Sequence, residues 1–305
     1  MNTLEKYSPL LFLLMWSSGA IFVKLGLEDA SVFVFLTIRS VGASLALIIV
    51  CALIAGERGL KETLLLPKRL LLRAILIGVL LQVGYQTAYF LALNYKLTPG
   101  VLAIILGLQP ILTPIFANEK IGKVGYFYLL LGLTGLTIAI FGARDLGAVT
   151  MPGLFFGLIS VIAISAGSVM QKKSVIDPVI AAFYQALTAS CIFLLLLPFT
   201  EIKLNLTPTF IVSATWMTIV VSTLAVLLLF RMLAKNSASK VGVLFYMVPV
   251  ITMLLDYLTF GNKVTWITIM GALLVIVAVK GFGKVQLTPV VLTSKASVVV
   301  REGLN

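Results

Sequence analysis

The chain reads twice. Five apolar segments ending near Gly142 are followed by five more ending near Gly283, and the same landmarks recur in the same order. Ser17, Gly19 and Lys24 lie 148 positions before Ser165, Gly167 and Lys172; Arg39, Ala43 and Ser44 lie 146 before Gln185, Ala189 and Ser190. Further along, Pro110 and Thr113 precede Pro249 and Thr252 by 139 positions, as Gly132 precedes Gly271. Single matches of small residues are common in apolar chains, so the order and the slow drift of the offset carry the argument. Five is odd. If each segment crosses a membrane, the second copy must be inserted upside down relative to the first.

Composition requires the membrane. The 305 residues are 60% hydrophobic and only 11% charged, with a mean hydropathy of +1.13, whereas soluble domains carry about 25% charged residues. Windows of the roughly 17 to 25 residues needed to cross the hydrocarbon core fall near 9–27, 32–55, 71–93, 98–117 and 124–142. A second set falls near 153–171, 178–199, 210–233, 241–261 and 264–283. No strand-like alternation is present, and helices are the other structure that satisfies every backbone group in lipid. The expected fold is therefore an all-α integral membrane protein of ten transmembrane helices, arranged as two inverted five-helix repeats over 9–142 and 153–283, with a tail at 285–305.

The net charge of +12 does not mark a nucleic-acid binder, since no basic patch with interleaved aromatics stands on a soluble face. It marks topology. With the N-terminus in the cytoplasm, 17 basic residues fall inside: Lys6, Arg58, Lys61, Lys68, Arg69, Arg73, Lys120, Lys123, Lys172, Lys173, Arg231, Lys235, Lys240, Lys280, Lys284, Lys295 and Arg301. Five fall outside: Lys24, Lys96, Arg144, Lys203 and Lys263. The bias also supports inversion. The loop after the second segment has five basic residues and its counterpart after the seventh has Lys203 alone; the loop after the eighth has three and its counterpart after the third has Lys96 alone. Both termini are thus expected in the cytoplasm. The first apolar run continues through Lys24 into a further span, so it is read as a retained helix rather than a leader. Cys51 and Cys191 both fall within predicted helices, where they pack as small apolar residues, and no disulfide is expected.

Several stretches together resemble the drug/metabolite transporter superfamily in its ten-helix form, built from two EamA-type repeats. They are WSSGAIFVKLGL (16–27), Arg39, YFLALNYKLTPG running into LQPILTP, VMQKKSVIDPVIAAFYQAL (169–187) and LLLFRMLAKNSASKVGVLFYMVPVITMLLDYLTFGNK (227–263). The resemblance spans residues 9 to 283. Repeats of this kind often close their fourth helix on Gly-Glu and a basic residue. Here the first has Asn118-Glu119-Lys120 and the second Gly261-Asn262-Lys263, and the ninth helix carries Asp256 where such helices are usually apolar.

Inverted repeats commonly enclose a cavity near the midplane, opened to either side by rocking one half against the other. The clearest candidate lining is Gln82, Tyr85, Gln86 and Tyr89, which recur at i, i+3, i+4 and i+7 on one face of the third helix. Such a stripe turns away from lipid, either to line a cavity or to hydrogen-bond a neighbouring helix. Weaker sets are Thr215, Thr218 and Ser222 on the eighth helix, Tyr184, Gln185 and Thr188 on the seventh, Gln109 and Thr113 about Pro110, and Tyr246 ahead of Pro249. Ser and Thr hydroxyls commonly bond back to their own helix, which makes packing the default for them. Trp16 lies about 10 Å into the first helix, below the interfacial belt, where it either lines the cavity or packs. Arg39 lies about 12 Å into the second helix, and a charge there must face protein or water or snorkel outward. Pro110 and Pro249 remove an N–H at equivalent depths and are candidate hinges.

The candidate substrate set is therefore Trp16, Arg39, Gln82, Tyr85, Gln86, Tyr89, Gln109, Tyr184, Gln185 and Tyr246. No histidine occurs, which excludes Ser-His and Cys-His nucleophiles and histidine metal sites, and Asp256 is the lone acid within a predicted span. No phosphate-binding GxxxxGK[ST] loop is present, so transport would draw on a gradient or on exchange. The expected function is secondary transport of a small metabolite by alternating access, with the resemblance implying export of amino acids or related compounds across a bacterial inner membrane. Nucleobases or cationic drugs are the alternative substrates, and an intramembrane enzyme is the alternative class. No cofactor, metal or nucleic acid is expected. The expected partners are a small-molecule substrate and the lipid bilayer, with a coupling proton and the oligomeric state left open.

Overall fold

In the computed structural model, the described residues are 3–56, 59–97, 99–142, 150–260, 265–285 and 288–289. Ten apolar helices account for nearly all of them: α1 (Tyr7–Asp29), α2 (Val32–Ala55), α3 (Lys68–Asn94), α4 (Val101–Ala117), α5 (Gly122–Gly142), α6 (Met151–Lys172), α7 (Pro178–Phe199), α8 (Pro208–Lys235), α9 (Ala238–Leu255) and α10 (Trp266–Gly283). Nine are long enough to cross a bilayer unaided, and α4 is the shorter tenth. Leucine, isoleucine, phenylalanine and methionine stand exposed along their outward faces, among them Leu45, Ile49, Leu53, Phe127, Leu130, Ile162, Leu195 and Met270. A belt of that kind is tolerable only against lipid. The side facing out by the charge bias is called outer below.

The helix ends follow local chemistry. Thr150, Asp177, Thr207, Ser237 and Thr265 each stand just ahead of a helix and accept hydrogen bonds from its first amides. Asn118 ends α4 in the left-handed region, with φ 55°. Of the expected tail, Thr288–Pro289 pairs antiparallel with Glu119–Lys120. Residues 290–305 lie outside the described residues, as do Arg58, Arg144, the Gly261-Asn262-Lys263 stretch and the side chains of Lys6 and Asp256.

The packing of helices is nearly unchanged when each helix number is raised or lowered by five. The pairs α2 with α7, α5 with α10 and α4 with α9 map onto themselves, α1 with α8 onto α6 with α3, α1 with α9 onto α6 with α4, and α2 with α8 onto α7 with α3. That is a pseudo-twofold relation between the repeats. It extends to backbone detail: α3 loosens to a π-helix over Val79–Gly84, and α8 does so over Met217–Ala225. Helix α4 breaks at Gly107–Leu108 between Pro99–Leu106 and Gln109–Ala117, while α9 tightens to a 3₁₀ turn over Val243–Tyr246 before Met247–Phe260.

The two repeats interleave in packing: α1, α2, α8 and α9 form one body and α3, α4, α6 and α7 another, each with helices of both repeats. The bodies meet along α2–α7, while α5–α10 forms a second seam where Gly135 and Gly271 let the backbones touch.

Candidate functional site

Between the bodies, the two sides of the membrane differ. On the inner side, Val226–Lys235 of α8 packs on α6 and α7, and Ala238–Gly242 of α9 packs on α4 and α6. The Glu119 carboxylate, just beyond α4, accepts from the Ala238 and Ser239 amides at 3.1 and 3.2 Å, and Lys172 Nζ donates to the Ala234 carbonyl at 3.3 Å. Among the described residues, the equivalent outer pairs lack comparable packing: Tyr85–Asn94 of α3 against α1 and α2, and Pro99–Leu106 against α1 and α9. A cleft of about 540 Å3 opens there instead, between the α1–α2 turn at Leu27 and Phe33, the end of α3 at Phe90 and Asn94, and Glu201 and Lys203 of the α7–α8 loop. The helix ends are therefore packed together on the inner side and parted on the outer side.

The α7–α8 loop is held to the α1–α2 turn on one flank of this cleft. Ser31 N donates to the Lys203 carbonyl at 2.9 Å, Asn205 N to the Asp29 carbonyl at 2.8 Å, and Ser31 Oγ to the Glu201 carbonyl at 2.6 Å. Thr207 Oγ1 donates to Asp29 Oδ2 at 2.5 Å. These bonds fix the body containing α1 and α8 at its outer end, so opening is confined to the gap toward α3.

Below the rim lies the polar layer. Arg39 is seven residues, about 10 Å, into α2, and Tyr85 is nine residues, about 13 Å, back from the outer end of α3. Arg39 is only 7% exposed, and its Nε and Nη2 both donate to Ser222 Oγ on α8, at 3.1 and 2.8 Å. Tyr85 is an electrostatic neighbour of both Arg39 and Tyr89. Gln82, Tyr85, Gln86 and Tyr89 are all half-buried, deep in the bundle, a combination that arises where side chains border an internal space. Gln86 Nε2 donates to Gln82 Oε1 at 2.6 Å, and the two tyrosine rings lie 6.1 Å apart. Among the described residues neither phenol has a hydrogen-bond partner, and neither is fully buried. Both π-helical segments sit in this layer, one carrying Gln82 and the other Ser222. A π turn displaces side chains from the regular face, and such turns recur at functional sites.

Five other expected lining residues are placed otherwise. Tyr246 is fully buried, packs on Gly132 and donates to the Leu129 carbonyl of α5 at 2.8 Å, so it joins α9 to the α5–α10 seam rather than lining the space. Tyr184 donates to the Leu64 carbonyl at 2.6 Å, in the loop ahead of α3, and so ties α7 to the inner loop. Gln185 is buried and donates to Gln171 Oε1 at 2.7 Å, which makes an amide pair between α7 and α6. Gln109 is 1% exposed, at the restart of α4, with its Nε2 unpartnered. Trp16 is half-buried among Phe12 and Phe245, with ring centroids 5.3 and 5.8 Å away, where α1 meets α9. Buried amides and phenols find partners wherever the tertiary packing offers one, and periodicity along one helix does not report those partners.

Pro110 is the second residue of the restarted α4 segment and Pro249 the third of the restarted α9 segment. Each lacks the N–H that would continue the preceding turn, so the Leu106 and Phe245 carbonyls lose their i+4 donors. Ser222 completes the layer on the α8 side, and Ser18 and Trp216 join α1 to α8. Trp216 Nε1 donates to Ser18 Oγ at 2.9 Å and its ring stacks on Phe22 at 4.9 Å. The only signal for Ser222 in the sequence was its place in a stripe of small hydroxyls, which by default pack.

The EamA-like transporter family model matches residues 9–141 and again 151–282. The chain belongs to the EamA-like transporter family. It is thus a member of the drug/metabolite transporter superfamily and an integral membrane protein. A curated relative, the "Uncharacterized transporter YvbV" of Bacillus subtilis (strain 168), is 28% identical over 276 residues, covering 87% of each chain. A solved crystal structure matches with a TM-score of 0.73 at 20% identity over 90% of this chain and 94% of that one, and at that identity the likeness is one of fold. The two matched stretches fall on α1–α5 and α6–α10, so the interleaved bodies of this EamA-like transporter each draw helices from both.

Proposed function

We propose that this EamA-like transporter moves amino acids or closely related metabolites out of the cell by alternating access across a bacterial cytoplasmic membrane, with both termini inside. One observation carries the reading. The accessible stripe Gln82, Tyr85, Gln86 and Tyr89 faces the interior in the same layer as Arg39, beneath a cleft open on one side only. A layer of phenols, amides and one guanidinium offers donors to a carboxylate and acceptors to an ammonium, the two groups an amino acid presents. Rocking of one body against the other about the α2–α7 and α5–α10 seams would close the cleft and part the inner contacts. Broken helices α4 and α9 provide the bends, with Pro110 and Pro249 at their restarts.

Cationic drugs fit less well, since no Asp or Glu side chain is buried among the described residues. Chemistry on the substrate is also disfavoured: the chain has no His, and no cluster of three His, Cys, Asp or Glu occurs among the described residues. Counterflow in proteoliposomes tests the reading. Vesicles loaded with unlabelled amino acids should accumulate the labelled compound transiently, and vesicles loaded with uracil or tetraethylammonium should not. Counterflow with uracil alone would replace the amino-acid reading with the nucleobase one.

A further inference from the structure

The Arg39 layer contains more donors than the protein itself uses. Nε and Nη2 of Arg39 converge on one neutral oxygen, Ser222 Oγ, and among the described residues no carboxylate lies within ion-pair distance of the guanidinium. Its Nη1 has no acceptor among the described residues. Ser222 Oγ accepts both bonds, and unlike Ser165 and Ser190 it does not donate back to its own helix, so its own proton is also free to be given. The phenol of Tyr85 adds a further O–H donor in electrostatic reach of Arg39, and the ring of Tyr89 lies 6.1 Å from that of Tyr85. A guanidinium more than nine-tenths buried and held by a hydroxyl alone, with the Tyr85 phenol as a neighbour, is a site for an anion. Burying an ion without a counterion is costly, and an incoming anion recovers much of that cost.

We propose that Arg39, Ser222 and Tyr85 form a carboxylate subsite. The carboxylate of the transported metabolite binds across the Arg39 fork in place of, or beside, the Ser222 hydroxyl and takes a further bond from the Tyr85 phenol. The cleft stands above it: the rim residues Phe33 on α2 and Phe90 on α3 lie one to two turns from Arg39 and Tyr85 on the same two helices. Arginine suits this role because its planar fork matches two carboxylate oxygens. The assignment deepens the transporter reading and rests on it. It makes a stricter claim, that the required substrate group is the carboxylate whatever the rest of the molecule.

Binding of four probes to the purified full chain separates the possibilities: L-leucine, 4-methylpentanoate, leucinamide and uracil, each titrated against wild type, Arg39→Gln, Arg39→Lys, Ser222→Ala and Asp256→Asn. Wild type should bind L-leucine and 4-methylpentanoate and reject leucinamide. Arg39→Gln should weaken both carboxylates by about 10- to 100-fold, the loss expected for charge-assisted hydrogen bonds, and should not weaken leucinamide. Arg39→Lys should recover part of the loss, which guards against a variant that merely misfolds, and Asp256→Asn should leave the carboxylate affinities unchanged. If wild type binds 4-methylpentanoate but not L-leucine, with the same dependence on Arg39, the subsite stands and the amino-acid reading falls. Equal affinity of wild type for L-leucine and leucinamide would overturn the subsite, as would unchanged carboxylate affinity in folded Arg39→Gln or binding of uracil alone. A loss in Asp256→Asn matching that in Arg39→Gln would overturn it as well, by showing that Arg39 is held by Asp256.

Discussion

Replacing Gly135 by alanine probes the α5–α10 seam where it leaves no room. A Cβ at Gly135 would stand 2.7 Å from Leu274 Cβ and 2.9 Å from both the Gly271 carbonyl oxygen and the Val275 amide nitrogen of α10. Non-bonded carbons settle at about 3.5–4.0 Å, so the helices must part by roughly 0.6–1 Å. Two of the three obstructing atoms are backbone, so no rotamer change relieves the clash. Overpacking of this kind costs about 1–3 kcal/mol, set against the gain of up to about 1 kcal/mol that alanine brings to a helix interior. With a gain of about 1 kcal/mol the net loss should be up to about 2 kcal/mol, or up to about 3 °C in the unfolding midpoint of a 305-residue chain. Gly283→Ala is the control, because nothing lies within 4 Å of a Cβ there. Thermal unfolding of the detergent-solubilised protein, followed by size-exclusion profile, reads both variants. The seam lies off the substrate layer, so Gly135→Ala should leave substrate affinity unchanged. A Gly135→Ala protein as stable as Gly283→Ala would refute the close backbone contact.

Other expected outcomes follow from single contacts. Tyr246→Phe removes the 2.8 Å bond to the Leu129 carbonyl and should cost about 0.5–1.5 kcal/mol of stability with no change in substrate KM; a KM shift would return Tyr246 to the cavity. Glu119→Gln weakens the carboxylate contact with the first amides of α9 by about 1 kcal/mol, a typical helix-terminus effect. It should make cysteines placed at Ser239 label roughly fivefold faster from the inner side, and an unchanged rate would remove Glu119 from the inner closure. Pro110→Ala and Pro249→Ala restore an N–H and should slow turnover while leaving binding intact, measured as counterflow rate against equilibrium affinity; full turnover in the double variant would show that the breaks at Gly107–Leu108 and Val243–Tyr246 do not serve as bends.

Much of this architecture was legible in the residues. Segment lengths and basic loops sufficed for ten helices, because lipid leaves a chain few ways to satisfy its backbone. The repeat was visible through Pro110 and Pro249 and through Gly132 and Gly271, positions that matter for backbone shape. Arg39 and the α3 stripe were legible for the same reason: a charge or an amide in lipid must turn inward. What the residues did not disclose is who receives each polar group. Tyr246 and Tyr89 look alike in sequence, yet one bonds a carbonyl of α5 and the other has no partner among the described residues. Ser222 looked like a packing hydroxyl until α2 brought Arg39 against it. The interleaving of the repeats was equally hidden, since a hydropathy pattern fixes where helices run and not which ones they touch.

Alternating access between the two interleaved bodies is the central claim, and paired distances test it most directly. Spin labels at Glu28 and Asn94 span the outer cleft, and labels at Lys173 and Lys235 span the inner ends of α6 and α8. Pulsed dipolar spectroscopy in nanodiscs, with and without saturating transported amino acid, reads both distances. Alternating access gives two populations with reciprocal change: the fraction with a shortened outer distance equals the fraction with a lengthened inner one, and substrate shifts both together. Inner and outer distances that lengthen together, or an inner distance that stays fixed while the protein transports, would contradict it.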